Sequence, residues 1–296
     1  MKKTLSAFLL ALILLTSGAR AEISQNKYLA AAFSALETGN PFTARYEEIT
    51  GAQITPVFET GIPYTFGGQD ARYLFKIRKI TQPSKYGDVG AKCIWGFDCS
   101  GFTRWIQAQV GDKAHPGLSA MILDRKTYKN YRMENLILEG GTFQPSYMKK
   151  GDPRMTPEQI AENLEYGDFL AAKHSGRHIL MYIGTLREYG YDAESAPELA
   201  AYLDYPLMVN CGNDPNYKAR TQAYIDANGL DARPSLGGAT VSIVGMKETD
   251  APHLREDGAK PFYYYQLGDY QLSVYDLPAA TSYVFWRTID ADRGAV

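Results

Sequence analysis

The chain has 296 residues, with 31 Lys and Arg against 33 Asp and Glu and a formal net charge of −2. That balance excludes a dedicated nucleic-acid binder, which needs a basic surface to displace counterions from phosphates. The length fits one large domain or two small ones, and three cysteines leave at least one thiol unpaired.

Residues 1–21 read as a signal peptide. Lys2 and Lys3 supply a basic start, residues 5–15 form an apolar run too short for a comfortable membrane span, and Ala19-Arg20-Ala21 is a small-x-small cleavage signature. No cysteine lies near the cleavage point, so no lipid attachment is expected. No later stretch has the length and apolarity of a membrane span. The mature chain is therefore expected to be secreted or periplasmic. Residues 22–56 read as a helical segment packed on the core: residues 30–36 are apolar helix formers, ended by Gly39-Asn40-Pro41.

Gly61-Ile62-Pro63-Tyr64-Thr65-Phe66-Gly67-Gly68 follows, with Pro63 fixing one backbone angle and the glycine pair permitting a turn or a close approach. Residues 69–95 carry Arg72, Lys76, Arg78, Lys79, Lys85 and Lys92. They read either as a solvated basic loop or as a rim that attracts an acidic substrate.

Gly96-Phe97-Asp98-Cys99-Ser100-Gly101-Phe102 ends that irregular segment and opens a helix. Phe102, Trp105, Ile106 and Val110 form one face at helical spacing, and Gly111 supplies a stop. Asp98 stands where an N-cap belongs, accepting from the backbone N–H of Ser100 or Gly101. Cys99 is then the first helical residue. The orphan N–H groups and the positive end of the helix dipole favour thiolate there, so its pKa is expected to fall from about 8.5 towards neutrality.

Residues 111–157 are rich in Pro and Gly and read mostly as loop. Thr156-Pro157-Glu158-Gln159 has the pattern of a helix start, with the helix running to about Tyr166. A hairpin follows: one strand over 167–173, a turn at His174-Ser175-Gly176-Arg177, and an apolar strand over 178–184. The acidic stretch 186–204 reads as a surface excursion. Residues 206–210 form a third strand, and further strands are expected over 240–246, 263–267, 271–275 and 283–288.

This order places a cysteine on a helix start, a histidine at a strand start and a polar residue ending a neighbouring strand. Thiol acyl transfer needs such a set: Cys99 as nucleophile, His178 as base and then acid, and Asn210 holding the imidazole in one tautomer. His174 and Asn213 are rivals for the second and third roles. Both fall in turns, where a ring or amide is held less firmly. The backbone N–H of Cys99 and the Tyr64 hydroxyl are candidates for meeting the oxyanion. Cys93 and Cys211 are then either a disulfide pair or two small buried apolar residues. No paired Cys/His spacing indicates a zinc site, and no metal or organic cofactor is implied.

In combination, Asp98-Cys99-Ser100-Gly101-Phe102, the upstream segment from Pro63 to Gly68, Gly167-Asp168 with the strand from His178 to Gly184, and Tyr283-Val284-Phe285-Trp286-Arg287 resemble the signature of the NlpC/P60 cell-wall cysteine peptidases. The resemblance spans residues 57–290 in short matched segments. It implies an α+β, papain-like fold in which a central antiparallel sheet packs against the helix bearing the cysteine. It implies a γ-D-glutamyl–diamino-acid endopeptidase acting as a monomer on stem peptides of peptidoglycan or on muropeptides. Tyr64, Asp98 and Ser100 match positions that line the cleft and meet the free amine of the substrate, and Asn210 matches the third catalytic position. Four stretches, about 69–96, 112–157, 185–205 and 214–282, are longer than in that family and read as insertions around the cleft. The same scaffold also suits an amidase or acyltransferase, or a wall-binding module without activity.

Overall fold

The structure, a computed structural model, describes residues 23, 26–81, 88–111, 156–173, 176–213, 226–231, 237–255, 261–280 and 282–286. His174 and most of the stretch 112–157 lie outside the described residues.

The N-terminal helical segment is two helices. In α1 (Lys27–Ser34) the Asn26 side chain caps the start by accepting from the N–H of Tyr28 and Leu29, and Tyr28, Leu29, Ala32 and Phe33 are buried. In α2 (Pro41–Thr50) Asn40 is the cap, Pro41 the first residue, and Gly51 the left-handed stop at φ 71°. The expected break at Gly39-Asn40-Pro41 is thus the cap of the second helix.

A small antiparallel pair comes next, β1 (Ile77–Lys79) and β2 (Lys92–Ile94). The Arg78 guanidinium lies 4.0 Å from the Tyr73 ring centroid and 4.7 Å from that of Trp95, so cation–π contacts hold the basic segment against its own aromatics. Helix α3 (Cys99–Gln109) follows, with Phe102, Trp105 and Ile106 buried as its spacing predicts and Val110 half-buried. Fully burying Phe102 or Ile106 contributes about 1.5–3 kcal/mol each. The short α4 (Pro157–Asn163) carries a full capping box between Thr156 and Gln159.

The remaining strands are β3 (Phe169–Lys173), β4 (Arg177–Thr185), β5 (Pro206–Asn213), β6 (Gly237–Val244), β7 (His253–Arg255), β8 (Phe262–Leu267), β9 (Tyr270–Tyr275) and β10 (Ser282–Trp286). They form one eight-stranded sheet in the order β10-β3-β4-β5-β6-β9-β8-β7. Every pairing in it is antiparallel except β6 with β9. The chain is therefore mixed α+β with a large, mostly antiparallel sheet. Helix α3 packs against β4 and β5, and the residues of β4 from Ile179 to Thr185 are all buried. Among the described residues no helix is long and apolar enough to cross a membrane.

The stretch 214–282 supplies four strands of the sheet, β6, β8 and β9 where strands are expected over 240–246, 263–267 and 271–275, and β7 in addition. One stretch differs from its sequence reading. The stretch 186–204 is anchored, not a free surface excursion: Leu186, Tyr189, Ala196 and Leu199 are buried, and the Tyr189 hydroxyl donates to the Ile183 carbonyl. Its acidic residues are used locally. Glu188 accepts from the N–H of Thr185 and Asp192 from those of Glu194 and Ser195, which leaves the apolar side chains to turn inward.

What positions α3 is a backbone junction. The Phe97 N–H donates to the Pro63 carbonyl at 2.9 Å, Thr65 N–H to the Phe97 carbonyl at 2.9 Å, and Asp98 N–H to the Gly68 carbonyl at 2.8 Å. The same segment reaches β6 through Tyr64 N–H to Gly237 at 2.8 Å and Ala239 N–H to Ile62 at 2.7 Å. A Cβ on Gly96 would stand 1.6 Å from the Pro63 carbonyl oxygen, so only glycine fits there.

Gly96→Ala is therefore expected to lower stability by about 1–3 kcal/mol or to abolish folding. Gly176→Ala, whose Cβ meets open space, should stay within about 0.5 kcal/mol of wild type. Urea midpoints for the two variants check this; equal midpoints would show that the junction accommodates a side chain.

Candidate active site

Asp98 does what its place in the sequence suggests. One carboxylate oxygen accepts from the Gly101 N–H at 2.7 Å and from the Ser100 hydroxyl at 2.8 Å. The other accepts from Gln69 Nε2 at 3.4 Å, and the same nitrogen lies 3.2 Å from Ser100 Oγ. Arg104 Nη1 donates to Gln69 Oε1 at 3.2 Å. Asp98 and Ser100 thus sit in one polar cluster at the head of α3. Gln69 and Arg104 join it from outside the motif, and no local spacing marks them.

Cys99 is the first residue of α3 and is half-buried. Its helix packs against β4 and β5, the strands that carry His178 and Asn210. The backbone N–H groups of Ile179, Ser100 and Cys99 itself favour thiolate. Burial acts the other way, as does the Asp98 carboxylate, and together they push the thiol up to about 11. The lowered pKa expected from the helix start is not found. The backbone N–H groups lower it, but lost solvation and a neighbouring negative charge outweigh them.

His178 is the second residue of β4, half-buried, and faces Ala172 of β3 in register. Its Nε2 lies 3.0 Å from Asn210 Oδ1. Asn210 is 3% exposed and lies within β5, which continues beyond the expected end to Asn213. A Cβ on Gly212 would come within 3.1 Å of both the imidazole and the Asn210 amide oxygen, so this glycine makes room for the pair. The structure therefore brings together His178 and Asn210, the two residues that the sequence reading pairs. The backbone of Tyr64 forms a parallel bridge with Phe97, which places it at the same junction as Cys99.

Sequence reasoning missed one contributor, from a strand two places beyond β5 in the sheet. Tyr275 ends β9 and stacks on His178 with ring centroids 5.7 Å apart and planes at 28°. Its hydroxyl is held protonated by burial first and by the nearby Cys99 second. Nothing local flags it, since β9 reads as an ordinary strand and meets the site only through the sheet.

The alternative of a Cys93–Cys211 disulfide is corrected: both are buried free thiols. Cys93 belongs to the small β1–β2 pair and its Sγ contacts the Arg78 carbonyl at 3.6 Å. Cys211 belongs to β5 and its Sγ lies 3.3 Å from the Phe97 carbonyl. They stand in different sheets, each thiol against a backbone oxygen, so the other reading, two small buried residues, describes them.

Compared with known protein families, characterised proteins and solved structures, the chain gives no match.

A thiol pushed to about 11 is protonated at neutral pH, and thiolate forms only as pH rises. Alkylation of Cys99 in the free protein should therefore keep accelerating above about pH 8.5, where a free thiol begins to level off. Asp98→Asn keeps the capping oxygen and removes the charge, so its profile should shift to lower pH. A wild-type plateau below about pH 7 would overturn this ranking of forces. Under denaturing, non-reducing conditions, peptide mapping should find all three cysteines alkylated; a linked Cys93–Cys211 peptide would contradict the structure.

Proposed function

We propose that this chain is an exported, papain-like cysteine peptidase of the NlpC/P60 type, hydrolysing γ-D-glutamyl–diamino-acid bonds in stem peptides of peptidoglycan or in muropeptides. The observation that carries this reading is the 3.0 Å contact between His178 and Asn210, set beside a cysteine that opens the helix packed on those two strands. Nucleophile, base and orienter come from α3, β4 and β5, so the set depends on the fold and not on local sequence. The papain-like assignment is supported in addition by the packing of α3 on antiparallel strands.

In this reading the proton moves during attack, since burial keeps Cys99 a thiol in the free protein. Cys99 Sγ bonds to the carbonyl carbon while His178 takes the thiol proton. The oxyanion meets the backbone N–H of Cys99 and the Tyr64 hydroxyl. His178 then protonates the leaving amine as the C–N bond breaks, leaving a thioester. Water attacks the thioester with His178 again as base, and the acid product leaves with the thiol restored. Asp98 and Ser100 receive the free ammonium of the stem peptide. An ammonium on Asp98 also offsets the charge that raises the thiol pKa, so the correct substrate favours its own nucleophile.

Mass spectrometry of defined muropeptides incubated with residues 22–296 tests the proposal. Cleavage at the γ-D-glutamyl bond is expected for wild type and none for Cys99→Ala. His178→Ala should lose about 10²–10⁴-fold in kcat. A folded, alkylatable protein that cleaves no muropeptide would sink the peptidase reading.

A further inference from the structure

The Asn210 amide does not end the chain of contacts behind His178. Its Nδ2 donates to Ser242 Oγ at 3.0 Å. Ser242 Oγ lies 2.7 Å from Ser273 Oγ, and Ser273 Oγ donates to the Val241 carbonyl at 3.1 Å. All three side chains are buried, at 3%, 5% and 7% exposure, so water does not compete for these groups. The strands impose the alignment: Ser242 faces Ser273 across the parallel β6–β9 pair, and Met208, one side-chain alternation before Asn210, faces Ser242 on β5.

The chain has a polarity, and its far end selects it. The Val241 carbonyl can only accept, so Ser273 gives it its single hydroxyl hydrogen. Ser273 must then accept from Ser242. Ser242, its hydrogen used, must accept from Asn210, and only the amide nitrogen can donate. The amide oxygen is thereby turned to His178, where it needs a donor. Nε2 carries the hydrogen and Nδ1 keeps its lone pair. The opposite polarity aims Nδ2 at Nε2, moves the hydrogen to Nδ1, and sets the lone pairs of Ser273 against those of Val241.

We propose that Ser242 and Ser273 are positioning residues: a buried serine pair, anchored on the Val241 carbonyl, orients the Asn210 amide and so holds the hydrogen of His178 on Nε2, leaving Nδ1 as the base. That Nδ1 acts as the base rests on the peptidase reading above; the tautomer itself does not.

The test reads the tautomer directly, by NMR of isotope-labelled histidine in the full chain. Its four histidines are few enough to assign with a His178→Gln reference. Wild type and Ser242→Thr, which keeps the hydroxyl, should show neutral His178 with hydrogen on Nε2. Ser242→Ala and Ser273→Ala should populate both tautomers while the other histidines stay unshifted. With muropeptides, the alanine variants should lose about tenfold in kcat at unchanged KM. Hydrogen on Nδ1 in wild type, or alanine variants identical to wild type, overturns the proposal. Should Ser242→Ala fail to fold, Ser273→Ala decides, because it leaves the Asn210–Ser242 bond in place. If no variant cleaves a muropeptide, wild type included, the peptidase reading falls while the tautomer comparison still decides the role of the serines.

Discussion

The close approach of three backbone segments, residues 62–68, 96–98 and 237–239, is the constraint on which the rest depends. Hydrogen bonds tie residues 62–68 to residues 96–98 on one side and to Gly237 and Ala239 of β6 on the other. The first residue of α3 follows at once, so the position of Cys99 is set by main-chain geometry and not by side-chain packing alone. The Cys211 thiol closes against the same junction, near the Phe97 and Pro63 carbonyls. A small residue is needed there for the reason that a glycine is needed at 96: backbones lie too near for anything larger.

Once α3 is placed, two forces act on its first residue with opposite sign. Backbone N–H groups from the helix start and from β4 stabilise a thiolate. Burial and the capping carboxylate of Asp98 destabilise it more. The cap that makes the helix begin at Cys99 also holds the thiol protonated. Helix start and thiol ionisation are thus coupled through one residue, and anything that neutralises Asp98 changes both the local field and the sulfur.

The sheet plays a second part beyond forming the core. By inserting β6 and β9 beside β5, it carries hydroxyls and an aromatic ring to the back of the imidazole. Ser242 lies in a strand whose residues are all buried, and a hydroxyl is tolerated there because it has partners in both Asn210 and Ser273. Tyr275 shares the face of Ser273 by the two-residue period of a strand and covers the His178 ring. The long stretch after β5 is therefore structural support for the site as much as an addition to the domain.

Much of this was legible in the chain itself. The Asp98 cap, the helix from Cys99 and the hairpin around Gly176 depend on residues within a few positions of one another. Propensity, capping and periodicity report such interactions directly. His178 and Asn210 could be paired in thought because each stood at a strand with the right chemistry. The direction of the Cys99 shift, the separation of Cys93 from Cys211, the inward anchoring of residues 186–204 and the arrival of Tyr275, Ser242 and Ser273 could not be read in the same way. Each depends on desolvation or on cross-strand contact between residues far apart in sequence, and these come into being only when the sheet has set its order and α3 has closed against it.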